Sequence, residues 1–224
     1  MEPLKTINRT IQSDQGQPIQ YSLVFNQDQT KKLAIFLPGI GYTAKSPLFH
    51  YTERLLAEQE YDILRINYDY NHPFYDTYTM GEIEQAIKHD VKQVIDQVLK
   101  GSIYEKFFLV AKSLGTIALA NELERPRFSG AKTVWLTPLL KHTEVFEAMK
   151  QCPNPALSFI GDKDHYYDRT RMDDLQANQQ LDAHVLKDVN HGMDFVGDPL
   201  KSIDILKDII TDIHAFSKKS IHHA

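Results

Sequence analysis

The chain has 224 residues, 42% of them hydrophobic, with 25 Lys and Arg against 30 Asp and Glu, a net charge of −5. This length suits one domain of about 100–200 residues or somewhat more, with enough chain to bury a core unaided. The mildly acidic balance excludes a broad nucleic-acid or anionic-membrane footprint, no window approaches the roughly 18 apolar residues of a span, and a single Cys152 excludes an internal disulfide or a multi-cysteine zinc site. Residues 1–10 lack the apolar core of a secretory signal, so a cytoplasmic location is expected.

Residues 7–25 read as two short strands around a turn at Ser13-Asp14-Gln15-Gly16-Gln17. Residues 33–37 then form a continuous apolar run, the pattern of a strand buried on both faces. A short helix fits 47–58, and a second buried strand 63–66. Thr79-Met80-Gly81-Glu82 has the form of a capping box, and Ile83, Ile87, Val91, Val94 and Val98 follow at helical spacing. Next come a strand at 107–110, a helix at 113–123, a strand at 134–136, a helix at 143–150 and a strand at 156–160. A helix over 170–178 and a strand at 183–186 follow. The last helix opens at Asp198-Pro199, with Leu200, Ile203, Leu206, Ile210 and Ile213 as its expected core face. Strands alternating with helices predict a mostly parallel sheet of eight strands covered on both faces, with the N-terminal hairpin added as an antiparallel edge.

In such sheets ligands bind beyond the carboxyl ends of the strands, so the residues after each apolar run carry the argument. After 107–110 comes Ala111-Lys112-Ser113-Leu114-Gly115, a serine between small residues at a strand-to-helix junction. After 156–160 comes Gly161-Asp162-Lys163-Asp164, and after 183–186 comes Asn190-His191-Gly192-Met193. After 33–37 comes Pro38-Gly39-Ile40-Gly41-Tyr42. Serine, acid and histidine on three different strand ends, in that order, resemble the α/β-hydrolase superfamily over nearly the whole chain. The match departs from the usual Gly-x-Ser-x-Gly elbow only at Ala111, which is still small.

The resemblance implies a single α/β-hydrolase domain over residues 1–224, with Ser113 as nucleophile, Asp164 as acid and His191 as general base. Asp162 is the neighbouring alternative acid, Asp168 suits a helix cap, and His165 is the rival base. Backbone amides of Ile40 and Leu114 match the oxyanion hole, with Gly41 as an alternative to Ile40. Gly41, Tyr42, His72, Phe74, Tyr75, Tyr166 and Met193 are candidate pocket residues. For the His72 to Tyr78 loop and for Tyr166-Tyr167, a packed surface loop is an equal reading. Lys112 either pairs with an acid behind the elbow or lies near the pocket. Gly39-Ile40-Gly41-Tyr42-Thr43-Ala44 also spells a dinucleotide fingerprint, but a proline precedes it and the better helix start lies beyond it at Pro47.

About fifteen residues separate Leu140 from Ala156, too few for a sizeable lid. The chain thus resembles the small uncapped branch, which includes carboxylesterases, thioesterases and dienelactone-hydrolase-like proteins, although the last group usually carries a cysteine nucleophile. The expectation is hydrolysis of an ester or thioester of a small acyl substrate, with no metal or organic cofactor and no nucleic-acid or membrane partner. An acyltransferase using the same three residues, or a catalytically silent binding protein of this fold, are the alternatives. The sequence says nothing of oligomeric state.

Overall fold

The computed structural model describes residues 5–13, 17–25 and 30–219. Its strands are β1 (Lys5–Ile11), β2 (Ile19–Phe25), β3 (Lys32–Leu37), β4 (Asp62–Asn67), β5 (Lys106–Lys112), β6 (Lys132–Leu136), β7 (Ala156–Gly161) and β8 (Leu181–Leu186). They form one sheet in the order β1-β2-β4-β3-β5-β6-β7-β8. β2 pairs antiparallel with β1 and with β4; every other pairing is parallel. The chain leaves β3 for β4 on one side and returns to β5 on the other. That reversal opens a crevice at the carboxyl ends of β3 and β5. The expected hairpin is present, while Asp14, Gln15 and Gly16 of its predicted turn lie outside the described residues.

The helices are α1 (Pro47–Glu58), α2 (Met80–Leu99), α3 (Gly115–Leu123), α4 (Thr143–Gln151), α5 (Arg169–Leu175) and α6 (Pro199–Lys218). The β3 sequence shows why its run is continuous. Leu33, Ile35 and Leu37 point into a core shared with α2, α3 and α4, whereas Ala34 and Phe36 point into a second core with α1 and α6. Trp135, the one tryptophan of the chain, is fully buried in β6 and donates its indole N–H to Thr133 Oγ1 at 3.1 Å. At α2 the capping box forms as predicted: Glu82 N donates to Thr79 Oγ1 and Thr79 N to Glu82 Oε2.

α6 begins where predicted, capped by Asp198, and Leu206, Ile210 and Ile213 of its expected face do pack on the core, but the first turn of that face points outward. Ile209, Ile213 and Phe216 are inside, whereas Leu200 and Ile203 are 74% and 61% exposed. Isoleucines at 203, 205, 209 and 210 make the apolar stripe too wide to fix the rotation. The contact is set instead by Ser202, whose hydroxyl accepts Phe195 N and donates to Asp198 O. At the other end, Lys132 Nζ donates to the carbonyls of Phe216, Ser217 and Lys219, satisfying acceptors that a helix C-terminus leaves open. Among the described residues, no helix is long and apolar enough to cross a membrane.

Candidate active site

β5 runs straight to Lys112, and the chain then turns sharply into α3. Ser113 sits in the turn at φ +51, a left-handed conformation that costs a non-glycine residue roughly 1–2 kcal/mol. The turn is held by Ser113 N donating to Leu136 O and by Thr116 N and Oγ1 both donating to Ser113 O. The predicted helix 113–123 therefore starts two residues later, and Ser113 is not its cap. The glycine at 115 has a steric cause: a Cβ there would lie 2.1 Å from Leu37 O. β3 and α3 touch backbone to backbone, while position 111 accommodates a buried alanine.

Ser113 Oγ lies 2.8 Å from His191 Nε2, and His191 Nδ1 lies 2.7 Å from Asp164 Oδ2. Asp164 is buried, and its other oxygen accepts Tyr166 N at 2.8 Å, which fixes the carboxylate plane. An acceptor-only carboxylate places the imidazole proton on Nδ1 and leaves Nε2 to accept from the serine hydroxyl. The His191 loop is built around Asn190, whose Oδ1 accepts Gly192 N and Asp194 N. Its approach to β7 demands Gly161, where a Cβ would meet Val189 O at 1.9 Å.

The alternatives fall elsewhere. Asp162 Oδ1 accepts Asp188 N, tying the end of β7 to the loop after β8. Asp168 caps α5 through Arg171 N. The His165 side chain is 67% exposed and its ring packs 4.8 Å from that of His191, without reaching Ser113 by a hydrogen bond. Ligand-type atoms of Asp164, His165 and His191 lie within 4.8 Å of one another, but two of the three already share the Asp164–His191 hydrogen bond.

The loop after β3 is a tight turn closed by Tyr42 N donating to Gly39 O, with Gly41 at φ +74, the sign that the third residue of a type II turn requires. Gly39 packs against Ser113; a Cβ there would be 2.8 Å from Ser113 Cβ. Among the described residues, the N–H groups of Ile40, Gly41 and Leu114 donate to no protein acceptor, so the choice between Ile40 and Gly41 stays open.

The candidate pocket residues divide. The Tyr166 ring packs 5.5 Å from His191. Tyr42 lies beneath the site, its hydroxyl accepting Leu48 N and its ring set edge-on to Phe49; burial pushes that phenol up to about 12. Met193 is fully buried at φ +70. His72 Nδ1 accepts Phe74 N, and the rings of Phe74, Tyr75 and Tyr78 pack edge-on or tilted against one another. His72 and Tyr75 line a separate cavity of about 300 Å³ with Gln20, Asn67, Tyr68 and Asp69, which contains none of Ser113, Asp164 and His191.

Of the two expectations for Lys112, no ion pair with an acid forms among the described residues, and the side chain lies beside the candidate site. It is 3% exposed, and its ammonium donates to His191 O at 2.8 Å and Thr137 Oγ1 at 3.1 Å, over the Tyr42 ring. Asp164 and Asp194 act on it through space, while burial, the larger effect, brings it down to about 8. Thr137 went unnoticed in the sequence. It is buried at φ +44, although it is β-branched and precedes Pro138, both of which disfavour that region.

The model of a family described as an alpha/beta hydrolase domain matches residues 30–218. Comparison with curated proteins finds no match. Among solved structures, an alpha-beta serine hydrolase homologue of Coxiella burnetii superposes with a TM-score of 0.69 at 15% identity, over 93% of this chain and 96% of that one. The esterase Pf2001 of Pyrococcus furiosus gives 0.69 at 14% identity, over 96% and 92%. XC6422 of Xanthomonas campestris, described as an alpha/beta serine hydrolase without lid, gives 0.66 at 16% identity, over 97% and 95%. At these identities the superpositions establish the fold. The family model, which takes in the strand ends carrying Ser113, Asp164 and His191, establishes more: the chain belongs to the alpha/beta hydrolase domain family.

Proposed function

We propose that the protein is a serine hydrolase that cleaves an ester or thioester of a small acyl substrate. The observation that carries this is the unbroken chain from Ser113 Oγ through both ring nitrogens of His191 to buried Asp164, 2.8 Å and then 2.7 Å. Ser113 attacks the carbonyl carbon while His191 Nε2 takes the hydroxyl proton. Asp164 holds the imidazole tautomer and balances the imidazolium. The oxygen that becomes negative is met by N–H groups already unpaired, those of Leu114 and of Ile40 or Gly41. His191 then protonates the leaving group, and water, activated by the same nitrogen, releases the acyl group from Ser113.

The substrate class follows from the access. The connection from β6 to β7 holds only the nine-residue α4, so no long segment stands there to build an acyl tunnel. Ile40 is 44% exposed on the turn that packs against Ser113. Both favour an open site and short acyl groups on a small molecule; a cytoplasmic location is part of the proposal and rests on the sequence alone.

A fluorophosphonate probe should label the protein, and Ser113→Ala should abolish labelling. Hydrolysis of a panel of short esters and thioesters then sets the class, with alcohol acceptors added to detect acyl transfer. A folded protein left unlabelled would turn the reading to a binding role.

A further inference from the structure

We infer that Lys112 is a positioning residue for the general base: its buried ammonium ties the main chain of His191 to the end of β5 and so sets the imidazole against Ser113. This rests on the hydrolase reading for its purpose, but not for its geometry. Lysines ordinarily bury their methylenes and keep the charge in water. Here the charge itself is inside, and only carbonyl, hydroxyl and ring partners touch it. An apolar side chain of similar length would fill the space without that desolvation.

The partners explain what the charge does. His191 O belongs to the loop after β8, Thr137 to the end of β6 and Tyr42 to the loop after β3. One ammonium with three donors joins three segments that share no backbone pairing at this point. Thr137 holds its disfavoured φ where its hydroxyl meets Nζ. The His191 imidazole is fixed at its ring nitrogens by Asp164 and Ser113, and Lys112 fixes the same residue at its carbonyl. A residue held at both ends cannot rotate out of line with the serine.

The charged and titratable groups facing Lys112 are Asp164 from the loop after β7, Asp194 from the His191 loop, and the Tyr42 phenol beneath. The two carboxylates favour the ammonium and burial opposes it, leaving the group to lose its proton at about 8. A neutral amine donates a weaker hydrogen bond than an ammonium. The tie should therefore slacken just above neutrality.

The test uses the full chain as wild type, K112M and K112R. Two quantities are followed against pH: kcat and KM on a short p-nitrophenyl ester, and the low-field proton NMR signal of the His191 Nδ1–H facing Asp164. In K112M, kcat should fall roughly 10–100-fold, the scale of a misplacement of about 1 Å, with KM within about twofold. Its low-field signal should be broadened throughout. In the wild type both kcat and the signal should decline with a midpoint at about pH 8. K112R, which keeps its charge, should retain the signal and lose that midpoint. A wild-type kcat and an unchanged signal in K112M would overturn the inference, as would a wild-type signal indifferent to pH across that range. Should K112M not fold, the wild-type titration decides alone. If Ser113 proves inert to the probe, the hydrolase reading falls, and the NMR signal still decides the role of Lys112 without turnover.

Discussion

Gly161→Ala tests how Asp164 and His191 are brought together. The change adds one methyl group at the end of β7, at a position whose φ is not left-handed, so the backbone itself tolerates alanine. The obstacle is Val189. The new Cβ would stand 1.9 Å from its carbonyl oxygen and 2.4 Å from its carbonyl carbon, whereas ordinary contact begins at 3.4 Å. The shortfall is about 1.5 Å against backbone, which has no rotamer to change. Val189 is itself fully buried, and its carbonyl accepts Lys163 N, so the strain cannot be shed outward. It passes along the chain to His191, two residues on. Overpacking of this kind costs roughly 1–3 kcal/mol, and the absence of a soft neighbour puts it at the upper end. A displacement of about 1 Å at the imidazole would lower kcat by about 100-fold. Urea unfolding gives the first number, and ester hydrolysis or the rate of fluorophosphonate labelling the second. If Gly161→Ala unfolds within about 0.5 kcal/mol of wild type and labels at an equal rate, the close approach of the two loops is not what holds His191 in place.

Asp164→Asn should leave the fold intact and lower kcat by about 10⁴-fold, because an amide no longer holds the required imidazole tautomer; steady-state kinetics at saturating ester check this. Gly81→Ala, in the first turn of α2 with nothing within 4 Å of the new methyl, should stabilise by about 0.4–1 kcal/mol in thermal unfolding, and any loss would show a hidden contact. Lys132→Met removes the donor to three carbonyls at the end of α6 and should cost about 1–3 kcal/mol in urea unfolding. Lys112 also predicts a pH dependence of stability. Its pKa falls from 10.5 in the unfolded chain to about 8 in the folded one. Between those values the unfolded chain holds a proton that the folded chain has released, so stability rises with pH, by about 3 kcal/mol over the full window. Below about 8 both forms carry the proton and the folded state bears the whole desolvation cost. The stability difference between wild type and Lys112→Met isolates this slope, and a flat difference from pH 8 to 10 would refute it. Activity and stability should therefore run in opposite directions above neutrality.

The strands and the positions of Ser113, Asp164 and His191 were legible because each signal is local. A strand buried on both faces, such as β3, reads as an unbroken apolar run, and the three polar residues stand where such runs stop. The elbow itself was only half visible. The small residue at 115 marks the close approach of β3 and α3, but nothing local distinguishes a serine capping a helix from one standing in a left-handed turn before it. The first turn of α6 was misassigned because isoleucines occur on two adjacent rows, and there it is Ser202, a hydroxyl that pattern analysis counts as outward, that turns inward. Lys112 and Thr137 were beyond reach for a deeper reason. Their partners come from the ends of different strands, and no spacing along the chain encodes which carbonyl a buried ammonium will find. Thr137 before Pro138 carried the one available hint, a β-branched residue at a strand end where extended backbone would ordinarily follow.

Trp135 equips the protein with an internal optical reporter. It is the chain's sole indole, wholly shielded, and it stands opposite Ala111 on the neighbouring strand, two residues before Ser113. When it is excited at the red edge of its absorption, where the eleven tyrosines absorb little, its emission on unfolding reports the surroundings of β6 beside β5. No label need be attached, and a variant that loosens the elbow without unfolding the domain should announce itself as a change of emission in the native baseline, ahead of the main transition.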